Sequence, residues 1–268
     1  MIDIDIDIRR PQLSLRLPAE SASLPVVRQA LRSLGEALRA DEEALDDAEL
    51  AVTEACANVV EHAYGSGRGE LEVTLLPGVA KMVVTVSDRG LGMPGGVADS
   101  GFGLAMIEGI ATKVEIRPRA ESGTDVVMSL AMGDAPLRLN GSAPPATAPL
   151  ERIARRIVAV IAAQADMPVD RLVESLLAVE LATRHAPAYL RGDRVQLTLE
   201  RLSGGFDLCV GPLVPNGARA LVHDSELPVI GALIERLSDQ VEFEAAEPAD
   251  GMPEGERLRL RIGSGSAG

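Results

Sequence analysis

The sequence predicts a mixed α/β protein in which one unit occurs twice along 268 residues. Three observations predict it. Apolar residues switch repeatedly between helical and strand spacing, the pattern of helices and strands interleaved in one layered domain. The order helix, helix, strand, strand, helix, strand, strand starts again near residue 150. Finally, MIEGIATKVEI (106–116) lies over LIERLSDQVEF (233–243) without a gap, and GELEVTLL (69–76) resembles GDRVQLTLE (192–200). His62 then lies over His185 at the same helix end.

In chain order, residues 2–8 and 12–17 alternate as half-buried strands do. A helix follows at about 24–39, with Leu24, Val27, Leu31, Leu34 and Leu38 on one face. The acidic residues of 41–47 lead into a second helix, roughly 46–62. Its Asp- and Glu-rich first turn complements the positive end of the helix dipole. One face of this helix, Leu50, Val52, Ala55, Val59 and Val60, reads as buried. Strands 70–76 and 81–87 are joined by Pro77-Gly78. A glycine-rich loop runs from 90 to 103, then a helix to about 112 and strands at 113–118 and 124–131. Residues 134–149, rich in Pro, Gly, Ala and Ser, form a linker with one short strand, Leu137 to Leu139. The second unit has helices at 150–164 and 169–185 and strands at 194–200 and 205–210. An irregular loop with an Asn216-Gly217 turn follows, then a helix at 228–239 and strands at 240–245 and 256–262. The domains expected are 1–133 and 150–268.

Composition narrows the functional classes. The net charge is −14, with 12 basic and 22 acidic residues in 1–134 and 14 and 18 in 135–268. Neither half offers the basic footprint that nucleic acid or an anionic membrane requires. With no Trp, two Tyr and three Phe, the chain also lacks stacking platforms for single strands. The two cysteines, Cys56 and Cys209, have no zinc or redox spacing. The N-terminus alternates apolar and acidic residues, unlike a signal peptide, and no apolar run is long enough for a bilayer. A cytoplasmic protein is expected, with no nucleic-acid or membrane partner.

Four features of the first unit carry chemistry. In LAVTEACANVVEHAYG (50–65), Glu54, Asn58 and His62 recur at i, i+4 spacing and share one helical face. VSDRGLGMP (86–94) places D-x-G-x-G directly after a strand. Asp88 there can accept a hydrogen bond from an exocyclic amine such as adenine offers, and Gly90 and Gly92 permit close backbone approach. In SGFGLAMIEGI (100–110), Gly101 and Gly103 run straight into a helix, whose free amides suit phosphate oxygens. Gly123-Thr124 opens the last strand, where a hydroxyl can reinforce the base contact. Each feature alone fits an ordinary surface helix or glycine turn; their conjunction in this order is specific.

That conjunction resembles the GHKL superfamily, whose members bind ATP on the Bergerat fold, a two-layer α/β sandwich. The E-A-C-A-N-x-x-x-H-A-Y run and the compact size look most like the anti-sigma-factor serine/threonine kinases of bacterial partner-switching systems. The resemblance implies ATP and Mg²⁺ as cofactors. Asn58 would ligate the metal through its side-chain oxygen. Glu54 would act as general base toward a serine or threonine hydroxyl. Asp88, helped by Thr124, would select adenine, while Gly90, Gly92, Gly101 and Gly103 would frame the pocket and its lid. The implied partners are a sigma factor and an anti-sigma-factor antagonist as substrate. An ATP-sensing module that does not phosphorylate is the alternative.

Two departures matter. No basic residue lies between Arg89 and Lys113, so the lid offers the γ-phosphate no cation, leaving Arg28, Arg32 or a partner's arginine to supply one. The second unit keeps the element pattern and loses the chemistry. Leu177 or Ala178 stands opposite Glu54, Leu181 or Ala182 opposite Asn58, and Pro228 and Ile230 replace Gly101 and Gly103. The chain therefore reads as a tandem duplication with one degenerate copy, its halves expected to dock as an internal pseudo-dimer near residues 2–17 and 137–139.

Overall fold

A computed structural model describes residues 10–65, 67–78, 80–91, 102–133, 148–192, 194–227, 231–246 and 254–263. The strand expected at 2–8, the linker strand Leu137 to Leu139, Pro228 and Ile230 lie outside these residues, as do Gly92 and Gly101. Strand β1 (Arg10–Pro18) leads through one 3-10 turn into helix α1 (Leu24–Ala37), which carries Pro25 in its first turn, where a missing N–H is harmless. Helix α2 (Glu42–Asn58) starts earlier than position 46. Asp41 is its N-cap, accepting the Ala44 N–H at 3.1 Å, so the acidic run forms the cap and first turn rather than the approach. A single π-helical turn, Val59–Ala63, ends it. Strands β2 (Glu70–Pro77) and β3 (Lys81–Ser87), helix α3 (Phe102–Ile110), and strands β4 (Lys113–Pro118) and β5 (Thr124–Ala131) complete the first half.

The second half runs α4 (Ala148–Gln164), α5 (Val169–His185), β6 (Arg194–Leu202), β7 (Gly205–Leu213) and α6 (Gly217–His223). A short hairpin, β8 (Glu226–Leu227) and β9 (Gly231–Ala232), precedes α7 (Leu233–Leu237), β10 (Gln240–Ala246) and β11 (Gly255–Gly263). Two expectations are corrected here. The loop after β7 holds a helix: Asn216, at φ 60°, is the N-cap of α6 rather than part of a plain turn, and the Glu256 carboxylate accepts the N–H groups of Asn216 and Ala218. The helix expected at 228–239 shrinks to α7, because Gly231 and Ala232 pair with Leu227 and Glu226 and only then does Ser225 cap the helix through the Ile234 N–H.

Nine strands form one sheet in the order β10-β11-β7-β6-β1-β2-β3-β5-β4. Strand β1 sits at the centre, antiparallel to β2 and parallel to β6. In-register pairing lines up Val241, Leu260, Leu208, Leu199, Leu15, Val73, Val86, Val126 and Ile116 across all nine strands. This row is apolar throughout because successive residues of a strand face opposite sides, and these face the helix layer. The row one residue over on β1 is polar: Ser14 lies between Thr74 and Thr198, with Ser14 Oγ 3.3 Å from Thr74 Oγ1. One face covered by helices and one polar face make a two-layer α/β sandwich.

The order β6-β7-β11-β10 in the second half reproduces β2-β3-β5-β4 in the first. In the segments 106–116 and 233–243, the helix ends at Ile110 and Leu237 and the next strand begins at Lys113 and Gln240. A single buried apolar cluster runs through both halves, and α1 packs on α4. Polar links cross the same junction: Arg156 to Glu36 at 2.7 Å, Arg201 to Glu20 at 2.8 Å, and Gln164 Nε2 to the Ala22 carbonyl at 2.8 Å. Val52 and Ala55 on α2 and Val59 on the π turn are buried as expected, but Val60 is half-buried and Leu50 is 50% exposed. It lies outside the stripe Leu45, Ala48, Val52, Ala55 and Cys56 that meets the core.

Candidate functional site

The site grows from the C-terminal half of α2. Glu54 and Asn58 are half-buried one turn apart, beside the buried Ala55 and Cys56. Helix α3 packs on α2, and its first turn brings Gly103 against Glu54: a Cβ on Gly103 would lie 1.9 Å from Glu54 Oε1. The candidate base thus rests beside the first turn of α3, where backbone N–H groups lack intrahelical acceptors. His62 lies on the π turn that follows Asn58, with its side chain 74% exposed near Glu61.

Asp88 lies where β3 leaves the sheet. Its N–H still bonds the Thr124 carbonyl at 3.0 Å, and its side chain turns back so that Oδ1 accepts the Gly90 N–H at 2.7 Å. Both Asp88 and Thr124 are buried, at 6% and 7% exposure. Burial pushes the Asp88 carboxyl above the ordinary aspartate range, while backbone groups of Gly90 and Thr124 and the charge of Arg119 pull it down. Arg119 reaches Glu72 and Asp125 at 3.5 and 3.4 Å, spanning the strands on either side of β3. With one oxygen on a backbone amide, the carboxylate retains acceptor capacity for an exocyclic amine.

Two glycines are dictated by backbone contact. A Cβ on Gly90 would lie 2.0 Å from the Ala63 carbonyl oxygen. Gly123 has φ +95°, and a Cβ there would lie 2.1 Å from the Asp88 carbonyl oxygen. The structure therefore brings together Glu54 with Gly103, and Asp88 with Gly90 and Thr124. It also brings in Tyr64 and Ala63, which lie in the E-A-C-A-N-x-x-x-H-A-Y run but have no role that spacing alone indicates. A tyrosine in so aromatic-poor a chain was the available signal.

The fit to a magnesium nucleotide follows from the donor set. Among the described residues no group of three or more His, Cys, Asp or Glu could cage a metal. Mg²⁺ in phosphate sites needs only one or two protein oxygens beside water and phosphate, which an amide such as Asn58 suffices to supply. Arg32 is not free to serve a phosphate, because it is bridged to Asp46 and Glu49 between α1 and α2. Arg28 is exposed on α1. Among the described residues no helix is long and apolar enough to cross a membrane.

A two-layer sandwich with these motifs at a helix, a strand end and a helix start defines a nucleotide-binding ATPase domain. Residues 17–130 match the family model of the histidine kinase-like ATPase domain. This segment is a member of that family, in the GHKL superfamily, and a domain of this type implies ATP binding. Among solved structures, the chain is similar to the RsbU and RsbW domains of Rv1364c from Mycobacterium tuberculosis. The identity is 25%, over 50% of this chain and 35% of that chain, with a TM-score of 0.37. The match thus spans about a third of that chain's length. No curated protein matches the chain.

Proposed function

We propose that the chain is an ATP-binding regulator of the partner-switching type, with its nucleotide site in the first half alone. The observation that carries this reading is Asp88: a buried carboxylate fixed by the Gly90 amide where β3 leaves the sheet. In this reading Asp88 accepts the adenine amine, with Thr124 beside it, and Asn58 holds Mg²⁺. Gly90, Gly92, Gly101 and Gly103 frame pocket and lid. Bound Mg²⁺ would screen the phosphate charge. Glu54, on the same helix as Asn58, would take the proton of a serine or threonine hydroxyl on an anti-sigma-factor antagonist. The shared sheet and core support a pseudo-dimer of two duplicated halves, the second kept as a docking platform for a protein partner such as a sigma factor.

A second reading is favoured by one observation. The Arg32 charge is already paired, and residues 90–112 contain no Lys or Arg, which leaves Arg28 or a partner's arginine as the cation for a γ-phosphate. Phosphoryl transfer draws heavily on such charge. The chain would then sense ATP and switch partners without phosphorylating them, unless Arg28 or a partner's arginine serves.

Calorimetry with Mg·ADP is the test of binding, and one equivalent per chain is expected. Two equivalents would overturn the single-site reading, and none would overturn nucleotide binding. Asn58→Ala should remove the Mg²⁺ dependence of the affinity. Labelled ATP with native lysate separates the two readings: a phosphoprotein absent with Glu54→Ala supports the kinase, and none with either protein supports the sensor.

A further inference from the structure

The D-x-G-x-G loop leaves the sheet at Asp88, after which sheet hydrogen bonds no longer hold it. Residues 89–91 are tied instead to the two residues that follow Glu61 and His62 in the chain. The Arg89 N–H donates to Tyr64 Oη at 2.8 Å, and the Leu91 N–H donates to the Ala63 carbonyl at 2.9 Å. Gly90, between them, is pressed against that same carbonyl. The Tyr64 hydroxyl in turn donates to the Glu70 carbonyl at 2.6 Å. Its ring lies over Gly69, where a Cβ would be 2.2 Å from the ring carbons.

The hydroxyl thus accepts from the exit of β3 and donates to the entry of β2, while its own backbone follows directly on the π turn of the helix that carries Glu54 and Asn58. A base-reading carboxylate works only if its orientation is fixed. Asp88 is oriented by the Gly90 N–H, and Gly90 is flanked by the two amides that Tyr64 and Ala63 hold. Tyr64 therefore stands one step behind the reading group and couples it to the helix at the phosphate end.

We infer that Tyr64 is a positioning residue for base recognition, holding the Arg89–Leu91 backbone so that Asp88 meets the adenine edge. The inference rests on the reading of Asp88 as the adenine acceptor. Tyr64 touches no nucleotide in this scheme; its effect passes through the loop backbone. Removing the hydroxyl leaves the ring on Gly69 and frees an N–H and a carbonyl near the surface, where water can replace the lost partner.

The test is Mg·ADP calorimetry on the full chain across a pH series, comparing wild type with Tyr64→Phe. Loss of one neutral hydrogen-bonding group should weaken ADP binding about 3- to 10-fold at neutral pH. The acid limb of the binding profile should also move to higher pH, because a loosened Gly90 amide no longer favours the ionised Asp88. The other charges acting on Asp88 are Arg119, paired with Glu72, and Asp125, which Arg119 also reaches, and the substitution removes none of them. Unchanged ADP affinity, or weaker affinity with an unmoved acid limb, would overturn the positioning role. If the wild type itself binds no ADP, the nucleotide reading fails first, and that outcome is distinct from either.

Discussion

Loss of solvent raises the proton affinity of Asp88, and only part of that cost is returned by the Gly90 amide and by Arg119. The consequence for stability has a definite sign. A carboxyl whose folded pKa exceeds its unfolded value binds its proton better in the folded state. Its ionised form therefore costs stability above the folded pKa, and the cost disappears as pH falls through that value. The proposed function asks for the opposite, since the ionised carboxylate accepts from the Gly90 amide at one oxygen and keeps the other as an acceptor for an adenine amine. Asp88→Asn should thus weaken ADP binding by tenfold or more while leaving the apo protein at least as thermostable as wild type at pH 7. The stability gain should vanish on acidification. A melting series from pH 4 to 7 measures this, and an asparagine variant clearly less stable at pH 7 would show that the charge is structural.

Among the elements, β3, β4, β5 and α5 fall at the residues the sequence indicates, 81–87, 113–118, 124–131 and 169–185. Their limits are set locally, by alternation ending at Gly or Pro and by a continuous amphipathic face. What the sequence did not disclose depends on distant partners. The start of α6 relies on Glu256, forty residues along the chain, to cap Asn216 and Ala218. No local pattern announces that. The π turn that carries His62 is likewise invisible to periodicity. The Asp88 end of the candidate site was legible because D-x-G-x-G directly follows a strand; its anchoring by Tyr64 and Ala63 was not, since those contacts join residues 25 and 28 apart. Helix α6 occupies the chain position that in the first half belongs to the glycine-rich loop, so the second half has a helix where a nucleotide pocket would open. Glu256→Ala should lower stability by about 0.5–2 kcal/mol, the usual cost of a lost cap, with no change in ADP affinity. A matched fall in ADP affinity would mean that the second half supports the site directly.

At the scale of the whole chain, the continuous apolar row across nine strands makes the two halves mechanically one object. Leu15 is central to it, fully buried between Val73 of the first half and Leu199 of the second. Its truncation to Ala should cost about 2–5 kcal/mol, and both halves should lose that stability together. Calorimetric unfolding of the intact chain is expected to be a single transition, and ADP, bound only by the first half, should raise the temperature of that whole transition. Residues 1–133 expressed alone would free the β1 edge that pairs with β6 and the α1 surface that packs on α4. A free strand edge beside newly exposed apolar surface invites pairing with another chain. The isolated fragment should therefore self-associate, as sedimentation can measure. Two resolved transitions in the intact chain, with ADP moving only one, together with a monomeric and fully stable fragment, would mean that the halves fold independently and that the shared sheet contributes little to either.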